Sequence, residues 1–400
     1  MNVVGIIAEY NPMHNGHIYN IKRARELANA DYVIVIMSGS FTEQGNIACI
    51  NKFDRAAIAI ENGADMVIEL PTVYATSSAE KFAYGAVNIL NSLGIVTHLA
   101  FGAESEDINM LKLAADTYLN NKDKIIQNIK MYTKQGINSG DAYTKSFAEF
   151  LEDAPKDLTL PNNILAIEYL KALAILNSQI KPVLVHRRTS NHSDDEVPNS
   201  SEFASSTSIR NVLSDSSLSK EEKLEKISNV VPQNTLNYLS NNNTNLTENL
   251  WDILKYEIIK LNPHGLKNIY EVTEGLENKL YKQALKCNSY GEYIFSIKSK
   301  RYTLSKIKRI CIYILLGITK EKNTSLKNVN YARILKVKES SLNLLSELSV
   351  KANNIVISKI TDELINNLDS NLAESIKLDV LSHNLFNDIN LDYTNKIIQP

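Results

Sequence analysis

Residues 5–20, GIIAEYNPMHNGHIYN, constrain this chain more than any other stretch. An apolar run, Val3-Val4-Gly5-Ile6-Ile7-Ala8, is interrupted by Asn11-Pro12, and His14 and His17 follow with Gly16 between them. A helical pattern then begins, because Ile18, Ile21, Ala24, Leu27 and Ala28 recur at three- and four-residue spacing. Strand, tight turn and helix N-terminus form a geometry in which free backbone N–H groups and the helix dipole receive a phosphate. Gly16 lets the backbone come close to an anion, and two imidazoles in the same turn can donate to phosphate oxygens as charge builds on them. Two surface histidines, or half of a metal site, would give the same spacing. No Cys or carboxylate cluster stands nearby to complete a zinc site. Placement in the first strand-to-helix turn of an α/β pattern therefore favours the phosphate reading.

The pattern continues through the first half. Strands are expected at Val3–Ala8, Asp31–Met37, Met66–Leu70, His98–Phe101 and Pro182–His186, with helices near His17–Asn29, Phe53–Asn62 and Glu80–Leu93. Alternation of this kind means βαβ units and a doubly wound parallel sheet. Its ligands bind outside the carboxyl ends of the strands, where the turn at 11–17 would lie. The 400 residues suggest two domains, an α/β one over 1–215 and a mainly helical one over 216–400. No apolar run approaches the roughly 18 residues of a membrane span, and no signal peptide is evident. Cys49, Cys287 and Cys311 are widely spaced in apolar or helical contexts, as reduced core thiols of a cytoplasmic protein would be.

Several motifs follow the strand ends. After the second strand comes Ser38-Gly39-Ser40-Phe41-Thr42-Glu43-Gln44-Gly45, then Lys52 and Arg55, which line either a phosphate channel or a capped, solvated loop. Gly102 either lets an adenine or ribose lie on the backbone or is a plain turn glycine. Pro161 with Asn162 and Asn163 marks a helix start with an Asn as N-cap, or a hydrogen bond to a nucleotide. Arg187 and Arg188 end the fifth strand, where a planar guanidinium suits phosphate. Residues 189–203 form a long polar stretch, lid or connector. It leads to Ser205, Ser206 and Thr207 with Arg210, a second helix start with phosphate-binding chemistry or an ordinary hydroxyl cap.

Beyond Leu218 the β-rich runs largely stop. Helices are expected at Leu250–Leu261, Leu266–Cys287, Leu304–Leu316 and Val329–Lys338, and the Asn-rich 234–249 reads as a loop or a loosely held connection. Formal charge is −2 overall, yet residues 298–338 hold twelve Lys or Arg against the single acid Glu321, which leaves the rest at −13. Tyr302, Tyr313 and Tyr331 are interleaved with these cations. Basic side chains neutralise phosphates and aromatics stack on unpaired bases, so a structured RNA is the expected partner.

His14-Asn15-Gly16-His17 resembles the HxGH signature of the nucleotidyltransferase superfamily, and Ala204-Ser205-Ser206-Thr207-Ser208-Ile209-Arg210 resembles its second signature, ISSTxIR. With the basic helical half, the chain resembles the bacterial tRNA(Met) cytidine acetate ligase family. That resemblance rests further on GADMVIELP at 63–71, SAEKFAYGAVNIL at 78–90, FGAES at 101–105, PNNILAIEYLKAL at 161–173, EGLEN at 274–278, KSKRYT at 298–303 and YARIL at 331–335. The loop Phe41–Gly45 departs from it by lacking the family's usual Arg. So does Lys336-Val337, where the family usually carries Gly-Phe. The resemblance implies a Rossmann-like, doubly wound nucleotidyltransferase sheet followed by a helical, tRNA-binding domain. It implies activation of acetate by ATP to acetyl-adenylate, then transfer of the acetyl group to the exocyclic amine of the wobble cytidine of elongator tRNA(Met). The family's ATP contacts carry over to Ile7, Ala8, Glu9, Tyr10, Asn11, Pro12, Met13, His14, Asn15, Gly16, His17, Ile18, Tyr19 and Asn20. They also carry over to Gly102, to Asn162 or Asn163, and to Arg187 or Arg188. On this reading His14 and His17 are catalytic and stabilise the α-phosphate. Ser205, Ser206, Thr207 and Arg210 hold the departing pyrophosphate, and Mg²⁺ bridges phosphate oxygens. Lys298, Lys300, Arg301, Lys306, Lys308, Arg309 and Arg333 are the expected tRNA contacts. The competing reading is a nucleotidyltransferase that adenylylates a small phosphorylated metabolite, which would have no use for the basic half.

Overall fold

The computed structural model describes residues 1–137, 139–151, 158, 160–186, 197, 202–242, 244, 247–299 and 301–386. The first half runs β1 (Val3–Ala8), α1 (Asn15–Leu27), β2 (Tyr32–Ser38), α2 (Lys52–Glu61), β3 (Met66–Leu70), α3 (Thr72–Ala75), α4 (Ala79–Ser92) and β4 (His98–Ala103). It continues with α5 (Ile108–Lys134), α6 (Ser139–Ala148), α7 (Pro161–Ile175), β5 (Lys181–His186) and α8 (Ser206–Ser214). The second half adds α9 (Lys220–Ile227), α10 (Gln233–Asn241), α11 (Trp251–Leu266), α12 (Leu276–Ala284), α13 (Tyr290–Ile297), α14 (Leu304–Leu316) and α15 (Lys320–Ser325). It ends with β6 (Tyr331–Val337), α16 (Asn343–Lys351), β7 (Ile355–Ile357), α17 (Asp362–Asn367) and α18 (Ser370–Phe386).

The strands form one sheet in the order β5-β4-β1-β2-β3-β6-β7, parallel except where β6 runs antiparallel to β3. The chain leaves β1 towards β2 on one side and towards β4 on the other, so the topological switch point lies between β1 and β4. Strand residues alternate between the two faces, as a period of two requires. Val4, Ile6, Val33, Val35 and Val67 pack on α1, α2 and α8 through Ile21, Ala24, Ala56, Ala59 and Ile209. Val3, Ile34, Ile36, Met66 and Ile68 face the opposite layer with Phe82, Ala86 and Leu90 of α4 and Ala166 and Leu170 of α7. The second layer runs without a break into the helical half, through Trp251, Tyr293, Ile310 and Tyr313.

The α/β expectation holds, with β1 and β3 at the expected bounds. Three local expectations are corrected. Val329–Lys338 is not a helix: Tyr331–Val337 is the strand β6, paired with β3. The expected helix over Leu266–Cys287 is broken, because Glu271 and Gly275 take left-handed φ of 61° and 86° and α12 starts only at Leu276. Within the Asn-rich 234–249, residues 234–241 belong to the helix α10, whose Thr235 and Leu239 are buried against the first half. The expected domain boundary at 215 and 216 falls between α8 and α9, while the sheet takes β6 and β7 from beyond it.

Candidate active site

The turn after β1 is held in an unusual path. Tyr10 has a left-handed φ of 48° and the Asn11–Pro12 peptide is cis. His14 then caps α1: its Nδ1 accepts from Gly16 N at 3.1 Å, while His17 Nδ1 accepts from His14 N at 3.3 Å. The ring centroids lie 3.8 Å apart, and the Tyr10 ring meets His17 edge-on at 4.9 Å. This has a chemical consequence. A neutral imidazole whose Nδ1 accepts carries its proton on Nε2, so the hydrogen bonds assign both rings as Nε2–H donors. Gly16 is required here, because a Cβ would sit 2.9 Å from His14 Cε1.

Both histidines line a cavity of about 330 Å³ at the switch point. Of the residues expected there, Ile7, Ala8, Tyr10, Gly16, Tyr19, Asn20, Gly102, Asn162, Ser205 and Ser206 also line it. Asn11, Pro12, Met13, Asn15 and Ile18 serve as scaffold. Asn11 Oδ1 accepts from Cys49 N at 2.8 Å, and Met13 is buried with its carbonyl accepting from Thr235 Oγ1 at 3.3 Å. Asn15 Nδ2 donates to the carbonyls of Glu202 and Asn229 at 3.0 and 2.9 Å, and Ile18 packs into the core. Pro12 is buried beside them and, like Glu9, Thr207 and Arg210, does not line the cavity. Arg210 donates to Asn11 O at 2.7 Å and to Thr207 Oγ1 at 3.1 Å, which ties the two signature segments together. Ser205 Oγ caps α8 by accepting from Ser208 N at 2.9 Å.

Asn162 and Asn163 behave differently from the expected N-cap. Leu160 occupies the cap position and Pro161 the first turn, where its missing N–H costs nothing. The orphan N–H groups go to Glu104, whose Oε2 accepts from Asn163 N at 2.8 Å and whose Oε1 accepts from Asn162 N at 3.3 Å. Asn163 Oδ1 in return accepts from Glu104 N and Ser105 N at 3.0 and 2.9 Å. This reciprocal clamp fixes the backbone just beyond Gly102. Asn163→Ala leaves two backbone donors without their acceptor, so we expect a loss of about 1–3 kcal/mol in denaturant melts, and a smaller one for Asn162→Ala. Equal losses would contradict the clamp.

Glu104, Tyr169, His186 and Phe203 also shape the site, and sequence reading passed over them. FGAES and PNNILAIEY carry Glu104 and Tyr169 in plain view, but nothing local says that the two segments touch. Arg187, Arg188 and Lys300 lie outside the described residues. Lys52 and Arg55 are fully buried and line no channel. Lys52 pairs with Glu69 at the end of β3, and Arg55 donates to four carbonyls, those of Glu9, Ser38, Gly39 and Ile50.

The basic segment is also redistributed. Lys298 and Arg301 are exposed, and Lys306 lies 5.7 Å from the Tyr302 ring centroid. Lys308 Nζ donates to Asn46 Oδ1 at 2.9 Å. Arg309, 8% exposed, approaches Glu43 and Glu271 at 3.5 and 3.9 Å, and Arg333 pairs with Glu69 at 2.9 Å. Arg309 and Arg333 therefore spend their charge on the half-buried Glu43 and Glu271 and on the buried Glu69, correcting the expectation that they face RNA. The interleaved tyrosines are corrected likewise. Tyr302, Tyr313 and Tyr331 are buried, with hydroxyls on Thr273 Oγ1 (2.6 Å), Thr76 O (2.6 Å) and Asp379 Oδ2 (2.5 Å).

Among the described residues no group of three or more His, Cys, Asp or Glu could hold a metal ion. All three cysteines are free and buried, and burial pushes the Cys49 and Cys311 thiols up to about 11 and about 12. No helix among the described residues is long and apolar enough to cross a membrane.

A sequence model described as HIGH Nucleotidyl Transferase matches residues 1–398. A tRNA(Met) cytidine acetate ligase of Clostridium novyi is 35% identical over 399 residues, covering 98% of this chain and 96% of that protein. One of Thermoanaerobacter sp. is 38% identical over 368 residues, covering 90% of this chain and 89% of its own. Among solved structures, Thermotoga maritima TmcAL bound with alpha-thio ATP superposes with a TM-score of 0.86 at 30% identity, covering 96% of this chain and 94% of that one. The apo form of the same protein gives 0.88.

Proposed function

This chain belongs to the tRNA(Met) cytidine acetate ligase family of HIGH nucleotidyltransferases, and from that premise we propose how its residues divide the work. It is an ATP-dependent ligase that joins acetate to a cytidine of tRNA(Met). Acetate is a poor electrophile, and an amine cannot displace oxide from it. Attack of an acetate oxygen on the α-phosphorus of ATP releases pyrophosphate and turns that oxygen into a leaving group as acetyl-adenylate. The exocyclic amine of the wobble cytidine of the elongator tRNA then takes the acetyl group and releases AMP.

In-line displacement at phosphorus needs positioning and charge stabilisation more than a covalent nucleophile. The observation that carries the reading is the pair of Nε2–H donors, His14 and His17, on the cavity wall at the switch point. We assign them to the α-phosphate oxygens, where added negative charge strengthens their hydrogen bonds. The first turn of α8, with Ser205, Ser206 and Thr207, is assigned to the departing pyrophosphate. Arg210 supports it from behind. Mg²⁺ would accompany the triphosphate, whose hard oxygens suit it. Residues 1–215 supply the ATP site, and 216–400 supply the tRNA surface through Lys298, Arg301 and Lys306. Buried free thiols fit a cytoplasmic enzyme.

The deciding experiment incubates the protein with ATP, labelled acetate and tRNA, then analyses nucleosides by mass spectrometry. Labelled N4-acetylcytidine is expected only when all three are present. Adenylylation of a small metabolite, with no acetate-dependent pyrophosphate exchange, would replace this reading with the competing one.

A further inference from the structure

One step of the proposed reaction has no residue yet: removal of a proton from the cytosine amine as its nitrogen attacks the acetyl carbonyl. The ATP cavity occupies the flank of β1 that faces β4 and β5. The other flank, towards β2 and α14, holds a second charged group. Glu9 follows β1 directly, keeps partial exposure, and its Oε1 accepts from Glu43 N at 2.8 Å. Arg55 donates to Glu9 O at 2.6 Å and Ser38 O at 3.0 Å, and to Gly39 O, so residue 9 and the turn after β2 are gathered around one buried guanidinium. In that turn Ser40 Oγ is buried and, among the described residues, has no hydrogen-bond partner, and across the junction neither does Arg309 Nε. Buried polar atoms of this kind call for an explanation, and a polar substrate group supplies one.

The helical half meets the catalytic loops here. Arg309 Nη1 donates to Glu43 O at 3.2 Å, and a Cβ at Gly45 would sit 2.5 Å from Arg309 N. On the proposed reading, an RNA held along α14 through Lys306 borders this flank. Glu9 directly precedes Tyr10, a wall of the ATP cavity whose ring meets His17 edge-on at 4.9 Å, so this flank adjoins the ATP site.

We propose that Glu9 is the base of the transfer step, accepting the hydrogen bond of the cytosine amine and taking one of its protons. The assignment rests on the tRNA(Met) cytidine acetate ligase reading. A carboxylate is the natural acceptor for the amine of cytosine. As the N–C bond forms, the C–O bond to AMP breaks. AMP leaves with that electron pair, and Glu9 later returns the proton to water. Glu43 positions Glu9 through its N–H, and Arg309 with Glu271 holds Glu43. Burial pushes the Glu9 carboxyl above its usual range, against the Glu43 N–H, Arg210 and Arg55, and it pushes Glu43 up to about 7 against Arg309. A raised carboxyl is charged, and so able to act, only above its folded pKa. Transfer should therefore rise with pH.

Synthetic acetyl-adenylate given with tRNA(Met) bypasses the first step and tests this directly. With wild-type protein, N4-acetylcytidine formation should rise with pH and level off. Glu9→Gln should lower that rate by roughly 10²–10⁴-fold and flatten the profile, while Glu9→Asp should keep a rising limb at a reduced rate. A Glu9→Gln rate near wild type, or a slow rate with the rising limb intact, would overturn the assignment. If wild-type protein makes no acetylcytidine from acetyl-adenylate and tRNA, the family-based reading falls too, so the two failures are told apart.

Discussion

His14→Asn should fold like the parent and lose acetate-dependent pyrophosphate exchange by roughly 10²–10³-fold, equivalent to about 2.7–4 kcal/mol of transition-state stabilisation. Asn is chosen because the position has two jobs. The His14 side chain caps α1 by accepting from Gly16 N, and Asn is among the best N-cap residues, so the cap survives. What disappears is the Nε2–H that His14 presents to the cavity. His14→Ala would remove both and confuse a cost of about 1 kcal/mol in helix stability with the loss of chemistry. The measurement is exchange kinetics beside a thermal melt. A His14→Asn enzyme within a few-fold of wild type would remove His14 from the reaction.

The largest stability effect is expected at Glu69. Its carboxylate is 1% exposed and accepts from both Lys52 Nζ (2.5 Å) and Arg333 Nη1 (2.9 Å). Burial alone would push Glu69 up, but the Lys52 and Arg333 charges outweigh it and hold the carboxyl below its usual range. Lys52 is forced down to about 8, by burial first and then by Arg333. Glu69→Ala leaves two cations in the interior with no counter-charge between them, which costs about 3–5 kcal/mol, more than most single substitutions. Urea melts should show the midpoint falling at constant slope. A loss under about 1 kcal/mol, small for a broken buried pair, would mean that water or the nearby Asp379 compensates.

The first half was legible because its signals are local. β1 and β3 are short apolar runs with breakers at both ends, and the helices between them carry continuous stripes. What failed depended on distant partners. Tyr331, Ala332, Ile334 and Leu335 fit a helical spacing as well as a strand, and the choice is made by β3, far earlier in the chain. Asn residues suggested a loop at 234–249, but Thr235 and Leu239 had a surface to cover. The charge tally of 298–338 was correct as a count, yet a count cannot know that Arg309 and Arg333 face Glu43 and Glu69. In the site, the histidine turn could be read from its own residues. The Glu104–Asn163 clamp and the Glu9–Glu43 contact could not, because each joins segments far apart in the chain.

β6 crosses from the helical half to lie along β3, and Lys308 and Arg309 grip the loop after β2. The distance between where an acyl-adenylate would be made and where an RNA would rest is thus set by a shared framework. Such an enzyme works like a jig: the reactive mixed anhydride stays where it forms, and the anticodon must be brought to it.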